Sequence, residues 1–370
     1  MSARFSSHFL DEEDYPRWER FVQDAPGGSV YALPAYLRAL GEATGADWRI
    51  LAVTRGNEIV AGVALYEREC WAGRYVAPRL LLYYNGPVFA RSTSRYPSER
   101  TSFYLHAVSA LKSALSAQGF AHLRLHPRED LHDVRPFVAS GWQVRPSFSY
   151  VIALDDLEAA RERVEGNFRR LIRRCEDDGM VLSQDDDFDS FFALHEEIHR
   201  RKGVPLYLPR VQYRRFWEEL RGNSLARLYH ARRADGRAVA SQLVLAGPHP
   251  ITHTVCAGAS EDHLHRGASV FLRWKACEAL AKDGYAGNDL TDAELNPVTR
   301  FKSQLGGELK LSFVLTAPER PAWRVRAAWE RAAFFARRAR RAARRRLGRP
   351  KPPADAADRN ATSPRNGGSD

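Results

Sequence analysis

The chain has 370 residues, enough for two or three domains that each bury a core. Hydrophobic content of 44% and aromatic content of 11% are ordinary for a globular protein and exclude collagen-like or wholly disordered chains. The net charge of +11 is uneven: of 56 Lys/Arg and 45 Asp/Glu, residues 318–370 hold 15 and 5, leaving a nearly neutral 41 and 40 in 1–317.

In chain order, the pattern predicts a hairpin over Arg49–Tyr66, a helix over Phe103–Ala117, a strand over Phe120–Leu125, a short helix over Leu131–Ser140 and a strand over Gln143–Leu154. A strand at Met180–Ser183 follows. Asp187-Phe188-Asp189 then opens a helix with Phe191, Leu194 and Ile198 at helical spacing, and a second helix is expected after Pro209. Leu225–Arg233 and Ala238–Ala246 read as a hairpin, because Asp235-Gly236 supplies a tight turn. A strand (His253–Ala259), a helix (Ser269–Lys282), a strand (Tyr285–Leu290), a short helix containing Phe301 and a last strand (Leu309–Leu315) complete the series. Trp323–Leu347 reads as one more helix, and the Pro-, Ser- and Gly-rich end as disordered.

The series repeats. Ala114, Leu115, Gly119, Ala121 and Leu125 match Ala279, Leu280, Gly284, Ala286 and Leu290 without a gap. Val60-Ala61 answers Val239-Ala240, Leu33-Pro34 answers Leu208-Pro209, and Phe137 with Gly141 answers Phe301 with Gly306. A collinear repeat of this length is a duplicated domain rather than a solenoid unit.

The four cysteines, at 70, 175, 256 and 277, have no paired spacing, so neither a disulfide framework nor a zinc ribbon is expected. The first residues turn acidic early and lack an apolar core of signal-peptide length, and no stretch reaches about 20 apolar residues. The expected compartment is the cytoplasm, with the inner membrane face as a peripheral site.

Strand, two helices, hairpin, strand, helix, strand, helix, strand is an order that resembles the GNAT acyltransferase fold. Arg135-Pro136-Phe137-Val138-Ala139-Ser140-Gly141-Trp142 resembles a segment near a GNAT C-terminus. Three further segments are similar to the tandem FemAB/FemX-like family and its acetyltransferase relatives. They are Tyr84-Asn85-Gly86-Pro87-Val88 (with Asn85 where the family has Arg), the helix Asn167–Arg174, and Phe301-Lys302-Ser303-Gln304-Leu305-Gly306-Gly307. The resemblance covers residues 15–315. It implies an α/β fold of two tandem GNAT-like domains, 1–155 and 156–317, followed by a basic amphipathic helix (318–349) and a tail (350–370). The second domain is the candidate for donor binding and catalysis.

A helix N-terminus offers unpaired amides to a pyrophosphate. In the second copy that place falls at Arg266, Gly267, Ala268 and Ser269, whereas Tyr96-Pro97-Ser98-Glu99-Arg100 of the first copy lacks Gly. The resemblance assigns Lys302 to the reaction centre, where an ammonium stabilises the oxyanion formed when an amine attacks an ester or thioester. Asp289, Asp292 and Glu294 follow the penultimate strand, where open α/β sheets place ligands, and Asp289 is the candidate proton acceptor. Acceptor contacts are expected from Tyr84, Asn85, Gly86, Arg201, Lys202, Tyr207 and Phe301. No nucleophile–base pair stands out, so direct attack without a covalent enzyme intermediate is expected. The co-substrate implied is acyl-CoA or aminoacyl-tRNA, with no resident cofactor, and the acceptor is a small or lipid-linked amine.

Two features pull elsewhere. His195-Glu196-Glu197-Ile198-His199 satisfies the H-E-x-x-H zinc pattern, but Glu197, Arg200 and Arg201 surround it with charge. A surface helix with no metal is expected. In 323–349, Trp323, Trp329, Phe334 and Phe335 are interleaved with Arg, a composition suited to an anionic membrane surface, to tRNA phosphates, or to no partner at all; DNA is not expected. Three readings follow: an N-acyltransferase, an aminoacyl-tRNA-dependent enzyme acting on a peptidoglycan precursor, and a non-catalytic membrane-associated protein of the same fold.

Overall fold

The computed structural model describes residues 5–347 apart from Leu80, Glu294 and Asn296. The first pass runs β1 (Phe5–Phe9), α1 (Tyr15–Asp24), α2 (Pro34–Thr44), β2 (Asp47–Arg55), β3 (Glu58–Cys70), β4 (Gly73–Val76), β5 (Val88–Phe89), α3 (Pro97–Ala117), β6 (His122–Leu125), α4 (Arg135–Val138) and β7 (Gln143–Ala153). Two linking helices follow, α5 (Leu157–Arg163) and α6 (Gly166–Asp177). The second pass runs β8 (Val181–Gln184), α7 (Phe188–Lys202), α8 (Arg210–Gly222), β9 (Ala226–Arg232), β10 (Ala238–Leu245), β11 (Ile251–Ala259), α9 (Glu261–Leu264), α10 (Ala268–Lys282), β12 (Gly287–Asp289), α11 (Pro297–Gln304) and β13 (Glu308–Thr316). A final helix, α12 (Pro321–Leu347), belongs to a second compact unit that begins at Pro321. The predicted tail, 350–370, lies outside the described residues.

Local chemistry starts and stops these elements. Proline opens α1, α2 and α3, where its fixed φ fits and its missing N–H is not needed. Asp187 caps α7 by accepting the Ser190 amide at 2.9 Å, and His199, Arg200, Arg201 and Lys202 fill its last turn. α3 begins at Pro97, well before the predicted Phe103, because Ser98–Ser102 is polar and carries no apolar rhythm to announce it. The short helix predicted over Leu131–Ser140 contracts to Arg135–Val138. Gly119 and Gly284 both follow the repeated helix with left-handed φ (66° and 86°), and Gly141 and Gly306 match likewise (77° and 83°).

The strands form one sheet in the order β1-β2-β3-β4-β6-β13-β7-β12-β11-β10-β9-β8, with β5 beside β3. Each pass contributes an antiparallel run ending in a parallel pair, β4 with β6 and β11 with β12. The last strands are exchanged. β13 lies antiparallel to β6 of the first pass, β7 lies antiparallel to β12 of the second, and β7 and β13 pair with each other from Val151↔Glu308 to Gln143↔Thr316. Each half of the sheet is therefore completed by the other pass.

Three cores follow. Val108, Leu111 and Leu115 of α3 cover one face of the first half. Val270, Trp274 and Cys277 of α10, with Phe168 and Ile172 of α6, cover the corresponding face of the second. The third core joins the halves: Tyr36, Leu37 and Leu40 of α2 pack with Phe216, Trp217 and Leu220 of α8. A ring contact of 5.8 Å between Tyr36 and Phe216 lies within it. This apolar joint fixes the two halves as one body and sets the site described next.

Candidate active site

β11 and β12 pair at only three positions, Ile251↔Gly287, Thr252↔Asn288 and His253↔Asp289. Beyond them β12 stops while β11 continues to Ala259, so the sheet parts at Asp289. In an open α/β sheet such a gap at strand ends is where ligands bind.

Asp289 is completely buried and accepts the Tyr84 hydroxyl at 2.8 Å and the Thr291 amide at 2.7 Å. Burial works to raise its pKa, but neighbouring His253, Arg128 and the Tyr84 hydrogen bond outweigh it and hold the carboxyl below its ordinary value. His253 Nδ1 stands 3.6 Å from the carboxylate, outside hydrogen-bond reach, and burial lowers its basicity despite that neighbour. Tyr84 comes from the first pass. It lies in the segment between β4 and β5, in the place that in the second pass is spanned by the single strand β11. Asn85 locks that segment to the end of β6, donating to the Arg124 carbonyl at 3.1 Å and accepting the His126 amide at 2.9 Å. Gly86 approaches Pro127 so closely that a Cβ would lie 2.0 Å from its nitrogen. Asn85 and Gly86 thus hold Tyr84 in place, with His126 5.0 Å from its ring.

After Asp289 the chain turns through Thr291 and Asp292, both left-handed at φ 49° and 41°. For a β-branched threonine this is a strained conformation worth roughly 1–3 kcal/mol. Lys302 holds the turn, its ammonium donating to the carbonyls of both residues. Lys302 is 7% exposed, and its pKa is lowered to about 8, first by burial and then by the Arg273 guanidinium. Lys302 is buried because α11 folds it back against the parted strands. An ammonium has three N–H donors. Two are directed to these carbonyls.

The structure brings Lys302, Phe301, Asp289 and Tyr84 into one neighbourhood. Tyr207 lies on the loop before α8, its ring 4.9 Å from His199 and its phenol beside Tyr83. Arg201 and Lys202 are at the exposed end of α7, where Arg201 Nη1 lies 3.7 Å from Glu197. Arg266, Gly267, Ala268 and Ser269 stand at the start of α10. Gly267 is its N-cap at φ 96°, and a Cβ there would come within 2.8 Å of Leu171 on α6, so only glycine fits. Glu294 lies outside the described residues. His253, His126 and Arg273 were not legible, since a lone histidine or arginine in an apolar strand or helix gives no pattern.

The helix carrying His195 and His199 corrects an expectation. Glu196 and Arg200 do face solvent, but both histidines are buried, 4.2 Å apart by ring centroid, against Tyr207 and Phe191. His199 Nδ1 contacts the Pro205 carbonyl at 2.7 Å, and burial lowers the His195 pKa to about 3. The charges mark only the outer side of an amphipathic helix. Among the described residues, no group of three His, Cys, Asp or Glu is arranged to hold a metal.

Comparison with known proteins now adds to this geometry. Residues 162–303 match the family described as the acetyltransferase (GNAT) domain. No curated protein sequence matches the chain. Among solved structures, FemX superposes with a TM-score of 0.65 at 12% identity, covering 83% of this chain and 96% of FemX. L-PGS from Bacillus licheniformis gives 0.54 at 13%, covering 85% and 94%. A tandem GNAT protein from the clavulanic acid biosynthesis pathway gives 0.50 at 14%, covering 86% and 100%. At such identities the likeness is one of fold. Residues 162–303 match the GNAT domain model, and the chain shares its fold with FemX and with a tandem GNAT protein.

Proposed function

We propose that the protein is an acyltransferase that moves an acetyl or aminoacyl group onto an amine by direct attack. The observation that carries this reading is Lys302, a buried ammonium at the parting of β11 and β12 with one N–H left over. The amine nitrogen attacks the acyl carbon, and the carbonyl oxygen becomes an oxyanion that the spare N–H meets. The new C–N bond forms as the bond to the donor's sulfur or oxygen breaks, and the amine's proton ends on the released carrier. Asp289 serves that proton through the Tyr84 hydroxyl it already accepts.

On this reading the second copy, 156–317, is the catalytic one and the first, 1–155, supplies Tyr84. Arg266, Gly267, Ala268 and Ser269 receive the phosphates of an acyl-CoA-type donor, as the GNAT domain implies. Tyr207, Phe301, Arg201 and Lys202 receive the acceptor. No helix among the described residues is long and apolar enough to cross a membrane. Within α12, Trp329, Phe334 and Phe335 are exposed among arginines. That composition supports peripheral attachment to the anionic inner face of a membrane, where a lipid-linked amine would be met.

A second reading is aminoacyl transfer from tRNA onto a peptidoglycan precursor, supported by the likeness to FemX. Thermal stabilisation of the purified protein by acyl-CoA or by aminoacyl-tRNA separates the two. Stabilisation by neither would favour a non-catalytic protein of this fold and overturn the proposal.

A further inference from the structure

Arg273 has no place in the reading above, yet it is the most anomalous charge in the second half. It lies on α10, its guanidinium 5.5 Å from the centre of the Phe301 ring. Its Nη1 is shut off from solvent and meets no hydrogen-bond acceptor, and no described carboxylate pairs with the side chain. Its charge reaches Lys302, whose pKa it helps to lower. Burial without a partner is unfavourable to a guanidinium and lowers its pKa to about 10.

The repeat shows what the fold itself needs here. Counting back along the ungapped match from Gly284 and Gly119, Arg273 falls on Val108. Val108 is fully buried in the first-half core under α3. A branched apolar residue thus satisfies the packing at this position, and an arginine is not a requirement of the helix or the sheet. What the arginine adds is a planar cation against an aromatic ring, next to the ammonium of Lys302. A guanidinium supported in that way presents paired N–H donors suited to two oxygens of one group.

We propose that Arg273 binds an anionic oxygen group, a carboxylate or a phosphate, that one of the two substrates carries to the neighbourhood of Phe301 and Lys302. The site assigns a substrate class: either the acyl group or the acceptor amine bears a negative charge close to the reacting carbon. Naming the carrier rests on the acyl-transfer reading, whereas the anion site does not.

The binding test therefore needs no turnover. The full-length protein and Arg273→Met are melted in succinate, in inorganic phosphate, and in chloride at matched ionic strength. The expected result has two parts. In chloride, Arg273→Met melts at or above the wild-type temperature, because a half-buried cation whose Nη1 meets no acceptor has been removed. The rise in melting temperature that succinate or phosphate gives the wild type is lost. A variant that keeps the wild-type anion response, or a wild type that responds no more to either anion than to chloride, overturns the proposal. Where a working donor and acceptor are in hand, Arg273→Met raises KM for the substrate that carries the anion and leaves KM for the other unchanged. That split identifies the source. Unchanged KM for both overturns the inference while leaving acyl transfer standing.

Discussion

The two halves of the sheet share their frame and differ at a few positions. Both have a parallel strand pair, a long covering helix ended by a left-handed glycine, and a short helix bearing Phe137 or Phe301. Next to Phe301 stands Lys302, whereas Val138, next to Phe137, is exposed. Arg273 stands opposite Val108, and the second helix opens on Gly267 where the first opens on Tyr96 and Pro97. The first half is the ordinary packed version of the unit. At the first two of these positions the second half carries a charged side chain where the first carries an apolar one. The first half also reaches the second, because Tyr84, between β4 and β5, donates to Asp289.

The contrast is tested most strongly at Lys302. Lys302→Ala is expected to lower kcat by about 100- to 1,000-fold, the usual size of losing one oxyanion donor. Val138→Ala should leave kcat unchanged. Because Lys302 also holds the Thr291–Asp292 turn, circular dichroism and a melting curve must accompany the rates. An active Lys302→Ala enzyme would end the distinction between the halves.

Gly267→Val should cost roughly 1–3 kcal/mol in stability, since φ is 96° and Leu171 blocks a Cβ. Donor affinity should fall with it. Urea melts and donor titration measure the two separately. Retained donor affinity in a folded variant would remove the α10 start from the donor site.

Tyr84→Phe removes one donor from a buried carboxylate and should destabilise by about 1–3 kcal/mol. If Tyr84 also relays the proton, kcat falls more than KM changes. A purely structural tyrosine would alter the melting temperature alone.

Lys302 also predicts a pH dependence. Its folded pKa of about 8 lies below the unfolded 10.5, so between these values the unfolded chain binds more protons. Stability should then rise with pH across that window, by at most about 3 kcal/mol, and Lys302→Met should flatten the rise. Activity should move the other way. As pH climbs through about 8 the ammonium is lost, and kcat falls if the charge serves the oxyanion. A kcat that rises there would assign Lys302 as a base instead.

The smallest expected effect concerns α12. Deleting 321–370 removes a separate compact unit and should leave transfer to a soluble acceptor unchanged. Binding to anionic vesicles should be lost with Trp329, Phe334 and Phe335. Undiminished vesicle binding would show that the helix is not the anchor.

Read by itself, the sequence determined the duplication and the order of elements within each copy. Those signals are local: turn residues, helical spacing and a short ungapped match survive without any knowledge of what touches what. Exchange of β7 and β13 was not legible, because strand pairing depends on contacts far apart in the chain and both strands keep the same pattern in either place. The direction of side chains was equally hidden. His195 and His199 read as surface residues from the charges beside them and proved buried, since neighbours on a helix face opposite ways. Tyr84 lies 205 residues from Asp289, and the exchanged strands and the apolar joint between the halves bring them together. The tertiary structure alone decided that Lys302 is buried, that Arg273 Nη1 meets no acceptor, and that Asp289 of the second pass is met by Tyr84 of the first. In each case the environment, and not the residue type, sets the charge and the chemistry.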